Sequence, residues 1–375
     1  MKILHLGKYF PPDIGGVERF TYVVAKEIVK LKNEVIVVVF NNSNKFKRER
    51  IDNIDVIRLP RIYNIFRTPL TLPIIKLIED ANPDLIHLHI PNPWFELNLL
   101  FYFLKYPNSK IVVTYHSDVV NYTIVHFVGN IIRYMYLLPL LFFSKKIMAT
   151  SENYIHGSFA LYLFRNKTSV VPLSIDYTKF KTNDKIKTDK HVLLYVGRLF
   201  RYKGLYYLIN AIKMLSVKRK DFILYIVGDG ELKNNLIDLT RKLKLNKYIK
   251  FLGKIPDKDI LKYYNSCEIF ILPSVFKSEA FGIVQLEAMC FKKPVISTNI
   301  KGSGITYVNI NNTTGIVVKP KDIESLSDAI GKLLNDKGLR LKMGYNAYKR
   351  VKMYFTKEKM IKNILNVYKN VVKGI

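Results

Sequence analysis

The chain is 375 residues long, 49% apolar, and carries 60 Lys and Arg against 30 Asp and Glu, a formal net charge of +30. A chain of that length and composition folds, and it has room for two domains with a core each. Only Cys267 and Cys290 are present, so a disulfide framework is excluded, a reducing compartment fits, and both thiols read as core packing.

The first predicted element, "KILHLG", is a core strand, and Lys8 and Pro11 interrupt the chain too early for a signal peptide. The β-branched runs "EVIVVVF", "DVIRL", "DLIHLH" and "KIVVTYH" continue the first half, and "HVLLYVG", "FILYIVG", "IKFLG", "IFILPS", "PVIST" and "GIVVK" fill the second. Between them, segments such as "RFTYVVAKEIVKLK" and "LYYLINAIKMLS" place apolar residues at i, i+3 and i+4, the helical period. This alternation predicts an α/β protein with two Rossmann-like, doubly wound parallel-sheet domains facing a cleft. The predicted boundaries are 1–176 for the N-terminal domain, 177–190 for a polar linker and 191–355 for the C-terminal domain. Residues 356–375 read as an amphipathic helix that packs back on the N-terminal domain. The most membrane-like segment, 119–147, is interrupted by Asn130, Arg133 and Pro139 and is expected not to span a bilayer.

A charge of +30 calls for an anionic partner: nucleic acid, anionic lipid or a phosphorylated small molecule. No helix-turn-helix, zinc-finger or RNP-type signature is present, so nucleic acid is not expected. In open parallel sheets, ligands gather beyond the carboxyl ends of the strands, so the residues following each strand carry the functional reading. "PPDIGGVERF" after the first strand supplies a close-approach turn at Gly15 and Gly16. His87 and His89, two apart, share a strand face; they lack a third ligand at a sensible spacing, and no metal site is predicted. "HSD" after "KIVVTY" puts His116 and Asp118 at a strand end. "RLFRYKG" after "HVLLYVG" offers Arg198 and Lys203, a planar fork and a mobile point charge suited to a diphosphate.

The stretch "KSEAFGIVQLEAMCFKKPVIST", 277–298, sets Glu279 and Glu287 eight residues apart around the start of an apolar helix. Backbone amides near Phe281, Gly282, Ile283 and Val284 then lie between two carboxylates. Amides favour an anion and carboxylates accept from hydroxyls, so a sugar joined to a phosphate suits both. Asp257 and Asp259 form a D-x-D after Pro256 and read as helix capping. No G-x-G-x-x-G follows a strand, and G-x-S-x-G and Walker A motifs are absent.

"GGVE", "VGRLFRYKG", "IVGDGEL", "FLGKIP" and above all the spacing of Glu279 and Glu287 resemble the GT-B glycosyltransferases of family 4, essentially end to end. "VVPLSIDYTKF" resembles the family's usual segment before the linker, with Ser174 in place of the common Gly. The resemblance implies a retaining, metal-independent hexosyltransferase that uses a UDP- or GDP-sugar as co-substrate and no cofactor. On that basis Arg198 and Lys203 hold the diphosphate, Glu279 the sugar hydroxyls and Glu287 the ribose. Gly15 and Gly16 admit the phosphates, Phe281 to Val284 meet sugar or phosphate, and His116 with Asp118 lies on the acceptor side of the N-terminal domain. The implied acceptor is a glycan or a polyprenyl-phosphate-linked glycan, in cell-surface polysaccharide or glycoprotein glycan assembly. The basic stretch 44–69 and the apolar 119–143 segment suggest peripheral docking on an anionic membrane surface, the inner face of the cell membrane, from the cytoplasm. A rival of another class is a non-catalytic basic protein that binds anionic glycolipid or nucleic acid.

Overall fold

The computed structural model describes residues 1–13, 15–65, 68–119 and 124–374, and the chain divides into two compact units, Met1–Pro172 with Glu358–Ile375 and Leu173–Lys357. Phe66 and Arg67 of the basic stretch, and 120–123 of the apolar segment, lie outside the described residues. In the first unit the elements are β1 (Lys2–Leu6), α1 (Gly16–Lys30), β2 (Glu34–Phe40), β3 (Lys47–Ile51), β4 (Ile54–Leu59), β5 (Tyr63–Ile65), β6 (Thr68–Leu70) and α2 (Ile75–Ala81). These continue with β7 (Leu85–Ile90), α3 (Pro93–Lys105), β8 (Ile111–Tyr115), α4 (Ile124–Phe143), β9 (Lys146–Ala149), α5 (Glu152–Gly157), α6 (Phe159–Leu163) and β10 (Thr168–Val170). The second unit holds β11 (His191–Val196), α7 (Leu205–Lys218), β12 (Phe222–Val227), α8 (Lys233–Lys242), β13 (Ile249–Gly253), α9 (Asp257–Ser266) and β14 (Ile269–Leu272). After these come α10 (Val284–Cys290), β15 (Val295–Thr298), α11 (Ile305–Val308), β16 (Gly315–Val318), α12 (Ile323–Asn335) and α13 (Lys337–Tyr354); α14 (Lys357–Lys373) belongs to the first unit.

Each unit is built on one large sheet. The first has eight strands in the order β10-β9-β8-β7-β1-β2-β4-β3, parallel except for β3 against β4. The second has six parallel strands in the order β13-β12-β11-β14-β15-β16. Strands buried on both faces are read as near-continuous apolar runs, and β11 is of this kind. Leu193 and Tyr195 join the core formed with α7 and α12, while Val192, Leu194 and Val196 join the one on the opposite face with α10 and α13.

Three features differ from the sequence reading. The chain passes from the first unit to the second at Pro172/Leu173, and 177–190 is part of the second unit rather than a free linker. Tyr177, Phe180 and Ile186, the apolar residues of that polar stretch, pack on its core. The basic 44–69 stretch forms edge strand β3 and its partner β4, and much of its charge is internally paired. Arg48 meets Asp55 at 2.5 Å, and the buried Arg58 joins Glu49 at 2.5 Å and the carbonyls of Phe10 and Pro11. Segment 119–147 contains the 20-residue helix α4, unbroken at Pro139, and its stretch His126–Phe143 has the length and composition to cross a membrane. One stripe of it, with Asn130, Arg133, Leu137, Leu140 and Leu141, is buried. Arg133 makes a bidentate pair with the fully buried Glu96 of α3, both distances 2.7 Å, which satisfies the charge that interrupts the sequence.

Candidate functional site

In the second unit the strand order reverses at β11, which lies between β12 and β14. Loops leaving neighbouring strands on either side of such a reversal diverge and leave a crevice. The loop after β11 carries Arg198 and a 3-10 turn over Arg201–Lys203, and the loop after β14 runs through Ser274 and Glu279 to α10. Gly204 brings these loops together. It sits at φ +71°, and a Cβ there would stand 2.0 Å from the Pro273 carbonyl oxygen. The amide of Val275 donates to the Tyr202 carbonyl at 2.8 Å, which completes the seam.

Across that seam Lys203 Nζ donates to Glu279 Oε2 at 2.5 Å, and Ser274 Oγ donates to the same oxygen at 3.0 Å. Both charged residues are buried. Ser303 Oγ donates to the Glu279 carbonyl, and the Gly304 amide donates to that of Ala280 at 2.8 Å, so the backbone under the carboxylate is fixed. Arg198 is exposed; it donates to Tyr202 OH at 2.9 Å, and its guanidinium lies over the Phe200 and Tyr202 rings. Lys203 Nζ also lies 5.3 Å from the Tyr202 ring, so one aromatic side chain contacts both cations.

Beyond Glu279, Gly282 adopts φ +72°, where a Cβ would come within 2.7 Å of Leu272 and 2.8 Å of Gln285. Phe281 is buried, Ile283 is the N-cap residue of α10, and Val284 opens the helix. Glu287 lies on α10 as expected, and its Oε2 accepts from the hydroxyl of Tyr264, a fully buried residue of α9, at 2.6 Å. The structure therefore joins Lys203 to Glu279 directly, sets Arg198 beside them through Tyr202, and orients Glu287 separately. Asp257 and Asp259 occupy the first turn of α9, but Pro256 is the N-cap and no side-chain cap bond forms. Their carboxylates complement the helix N-terminus by charge instead. Cys267 and Cys290 are buried, and burial raises both thiols to about 12.

The first unit reverses between β7 and β1, and histidines collect there. His5 on β1 is the register partner of His87 on β7, His89 lies two residues on, and His116 follows β8. All four are buried. Burial lowers His5 and His116 to about 3; burial, then neighbouring imidazoles, holds His87 and His89 well below the ordinary value. His5 is the third member that the His87/His89 pair lacked in sequence, and candidate ligand atoms of the three lie within 4.8 Å of one another. Those nitrogens are occupied by other partners, however. His87 bonds Tyr368 OH and Thr114 Oγ1, each at 2.6 Å, and His89 bonds His5 and His116; only His5 Nε2 has no partner.

Asp118 is tied into the fold near His116. Its Oδ1 accepts from Tyr115 OH at 2.7 Å and Ser158 Oγ at 2.6 Å, and its amide donates to Tyr154 OH at 2.7 Å. Gly15 is the N-cap of α1 and Gly16 its first residue. A Cβ on Gly16 would meet nothing within 4 Å, so the protein's own packing does not require glycine there. Sequence reasoning missed His5, Ser274, Tyr202 and Tyr264. The hydroxyls and the aromatic beside charged motif residues carried the only available signal.

Two family models divide the chain between them: Glycosyltransferase Family 4 over residues 14–179 and Glycosyl transferases group 1 over 176–350. The O-antigen chain mannosyltransferase C of Escherichia coli is 26% identical over the full length of both chains. D-rhamnosyltransferase WbpZ of Pseudomonas aeruginosa is 29% identical, covering 95% of this chain and 92% of its own. In fold, the chain is similar to Anabaena HepE, solved in complex with UDP-glucose, with a TM-score of 0.75 at 19% identity over 99% of this chain and 100% of that one. The models, these relatives and the paired sheets agree: the chain is a glycosyltransferase of the GT-B fold.

Proposed function

We propose that the protein transfers a hexose from a UDP- or GDP-sugar to a glycan or polyprenyl-phosphate-linked acceptor, with retention, without metal or cofactor, in cell-surface glycan assembly. The observation that carries this reading is the buried Lys203–Glu279 pair with Ser274 at the β11/β14 reversal. A donor diphosphate would draw Lys203 Nζ towards its own oxygens, and Glu279 would then be released to accept from sugar hydroxyls. Negative charge grows on the departing diphosphate in the transition state, so Arg198 and Lys203 stabilise it more there than in the bound donor. Glu279 serves as a hydroxyl acceptor, not as a nucleophile, and the reading has no covalent step. Glu287, oriented by Tyr264, holds the ribose. His116 meets the transferred sugar from the first unit.

Calorimetry with UDP and GDP tests the donor assignment. Arg198→Ala and Lys203→Ala weaken both nucleotides, and Glu287→Ala weakens the nucleoside as well; unchanged affinity in all three variants would refute it. EDTA leaves turnover intact, whereas its loss and rescue by a divalent cation would overturn metal independence.

The reading extends to peripheral docking on the anionic inner face of the cell membrane. Its support is the exposed stripe of α4, where Ile124, Ile131, Ile132, Met135 and Phe142 are each more than half exposed, with the exposed Lys145 two residues beyond the helix and the exposed Arg165 in the same unit. An exposed apolar helix face with a cation close to its end suits an anionic lipid surface.

A further inference from the structure

His5, His89 and His116 form an unbranched hydrogen-bonded line. His5 Nδ1 lies 3.0 Å from His89 Nε2, and His89 Nδ1 lies 3.3 Å from His116 Nε2. Successive rings lie end to end in nearly parallel planes, with interplanar angles of 13° and 26° and centroids 5.3 and 5.5 Å apart. Phe20 of α1 meets His89 and His116 edge-on, at centroid distances of 5.8 and 4.9 Å. His87 stands against His5 and His89 but does not join the line, because Thr114 of β8 and Tyr368 of α14 occupy its nitrogens. Among the described residues, no carboxylate is a hydrogen-bond or ring partner of these four imidazoles.

Proton counting gives the line a direction. A neutral imidazole has one N–H and one lone pair, so donation must run the same way through both bonds. If it runs from His5 towards His116, the buried and unpartnered His5 Nε2 is a bare lone pair, and His116 carries its proton on Nδ1. If it runs the other way, His5 Nε2 bears a buried N–H with no acceptor, the rarer state in folded proteins. We infer that His5 and His89 are positioning residues that fix His116 as the neutral Nδ1–H tautomer, so that it offers a substrate oxygen a hydrogen-bond donor and not a base. The inference rests on His116 being the group in the first unit that meets substrate.

The tautomers are read by two-bond 15N–1H correlation on the full chain labelled at histidine. In the wild type the proton sits on Nδ1 of His5, His89 and His116, and His89→Phe shifts His116 towards the Nε2–H form. Turnover, measured as release of UDP from UDP-glucose or GDP from GDP-mannose, falls about three- to tenfold in kcat for His5→Leu, the weight of one neutral hydrogen bond, with KM little changed. His5→Asn restores most of it, since its amide can donate near the position of Nδ1. A wild-type proton on His116 Nε2, an unchanged tautomer in His89→Phe, or equal kcat for the Leu and Asn variants would each overturn the inference. So would zinc at one equivalent moving the His5, His87 and His89 resonances together, which would mark the cluster as a metal site. If His89→Phe does not fold, the two His5 variants decide. Full turnover in His116→Ala would remove the substrate role of His116 alone, and the tautomer measurement would still judge the line.

Discussion

The two sheets each reverse their strand order once, and the two reversals hold opposite chemistry. At β7/β1 the first unit gathers four buried imidazoles, linked to one another, a threonine and a tyrosine. At β11/β14 the second unit gathers a buried ammonium, a carboxylate and an exposed guanidinium. Topology therefore fixes where a ligand is met, and the side chains at the strand ends fix which part of it. A diphosphate needs cations, and the second reversal holds Lys203 and Arg198 among its contacts; a neutral hydroxyl suits the imidazoles of the first.

Acid separates the two units most strongly. His5 and His116 are lowered to about 3 by burial, and His87 and His89 lie well below the ordinary value, whereas the unfolded chain titrates near 6.5. The unfolded state thus binds more protons between those values, so stability is complete above about pH 6.5 and is lost as pH falls towards 3. Each imidazole withdraws up to ~1.4 kcal/mol per pH unit in that window. The second unit has a single histidine, His191, so the first unit should melt first on acidification. Trp94, the only tryptophan, lies in α3 of the first unit and reports it alone. Coincident transitions for Trp94 fluorescence and total helix signal from pH 7 to 4 would break the contrast.

Next in size is the charged pair. Lys203→Ala or Glu279→Ala leaves its buried partner unpaired, at a cost of about 3 kcal/mol. Lys203→Met with Glu279→Gln removes both charges and should lose less than the sum of the two single variants in urea unfolding. Additive losses would mean that the pair is not coupled. Arg198→Ala, at an exposed position, should leave stability alone and weaken UDP or GDP roughly tenfold by calorimetry, the weight of one charged hydrogen bond.

What the sequence disclosed follows the range of the signal. Strands buried on both faces are apolar at every position, so β2, β7 and β12 were plain as runs, and Arg198, Lys203, Glu279 and His116 were found because each follows a strand. The His5–His87 register and the Lys203–Glu279 bond, 76 residues apart, depend on which strands become neighbours, and no local pattern encodes that. Edge strand β3, "KRERI", has a single apolar residue, Ile51, and so lacks the apolar run by which the others were recognised. In α4 the exposed residues are as apolar as the buried ones, so the sequence shows a membrane-like helix where the structure has one packed face. The 177–190 stretch was misjudged because three packed side chains are diluted by lysines.

The weakest expected effect concerns that unpacked face. Ile124, Ile131 and Met135 lie on one side of α4, while Arg133, Leu137 and Leu141 are buried on the other. If the proposed docking holds, a helix held by one face to its own protein would lie along the lipid interface and would not cross it. Cations beside an anionic surface contribute about 1 kcal/mol each, and Lys145 and Arg165 are exposed, as are Lys45 and Arg50 near β3. In sedimentation with liposomes, the bound fraction should rise with the share of anionic lipid and fall with salt. Ile131→Glu with Met135→Glu should reduce it without altering UDP affinity, because the proposed donor groups Arg198, Lys203 and Glu287 belong to the other unit. Lys45→Ser with Arg50→Ser should reduce it by less, since Phe46, just before that strand, is the one exposed large apolar side chain between residues 41 and 61. Equal loss from both pairs would move the docking face to the β3 edge, and indifference to lipid charge in every variant would leave α4 without its membrane partner.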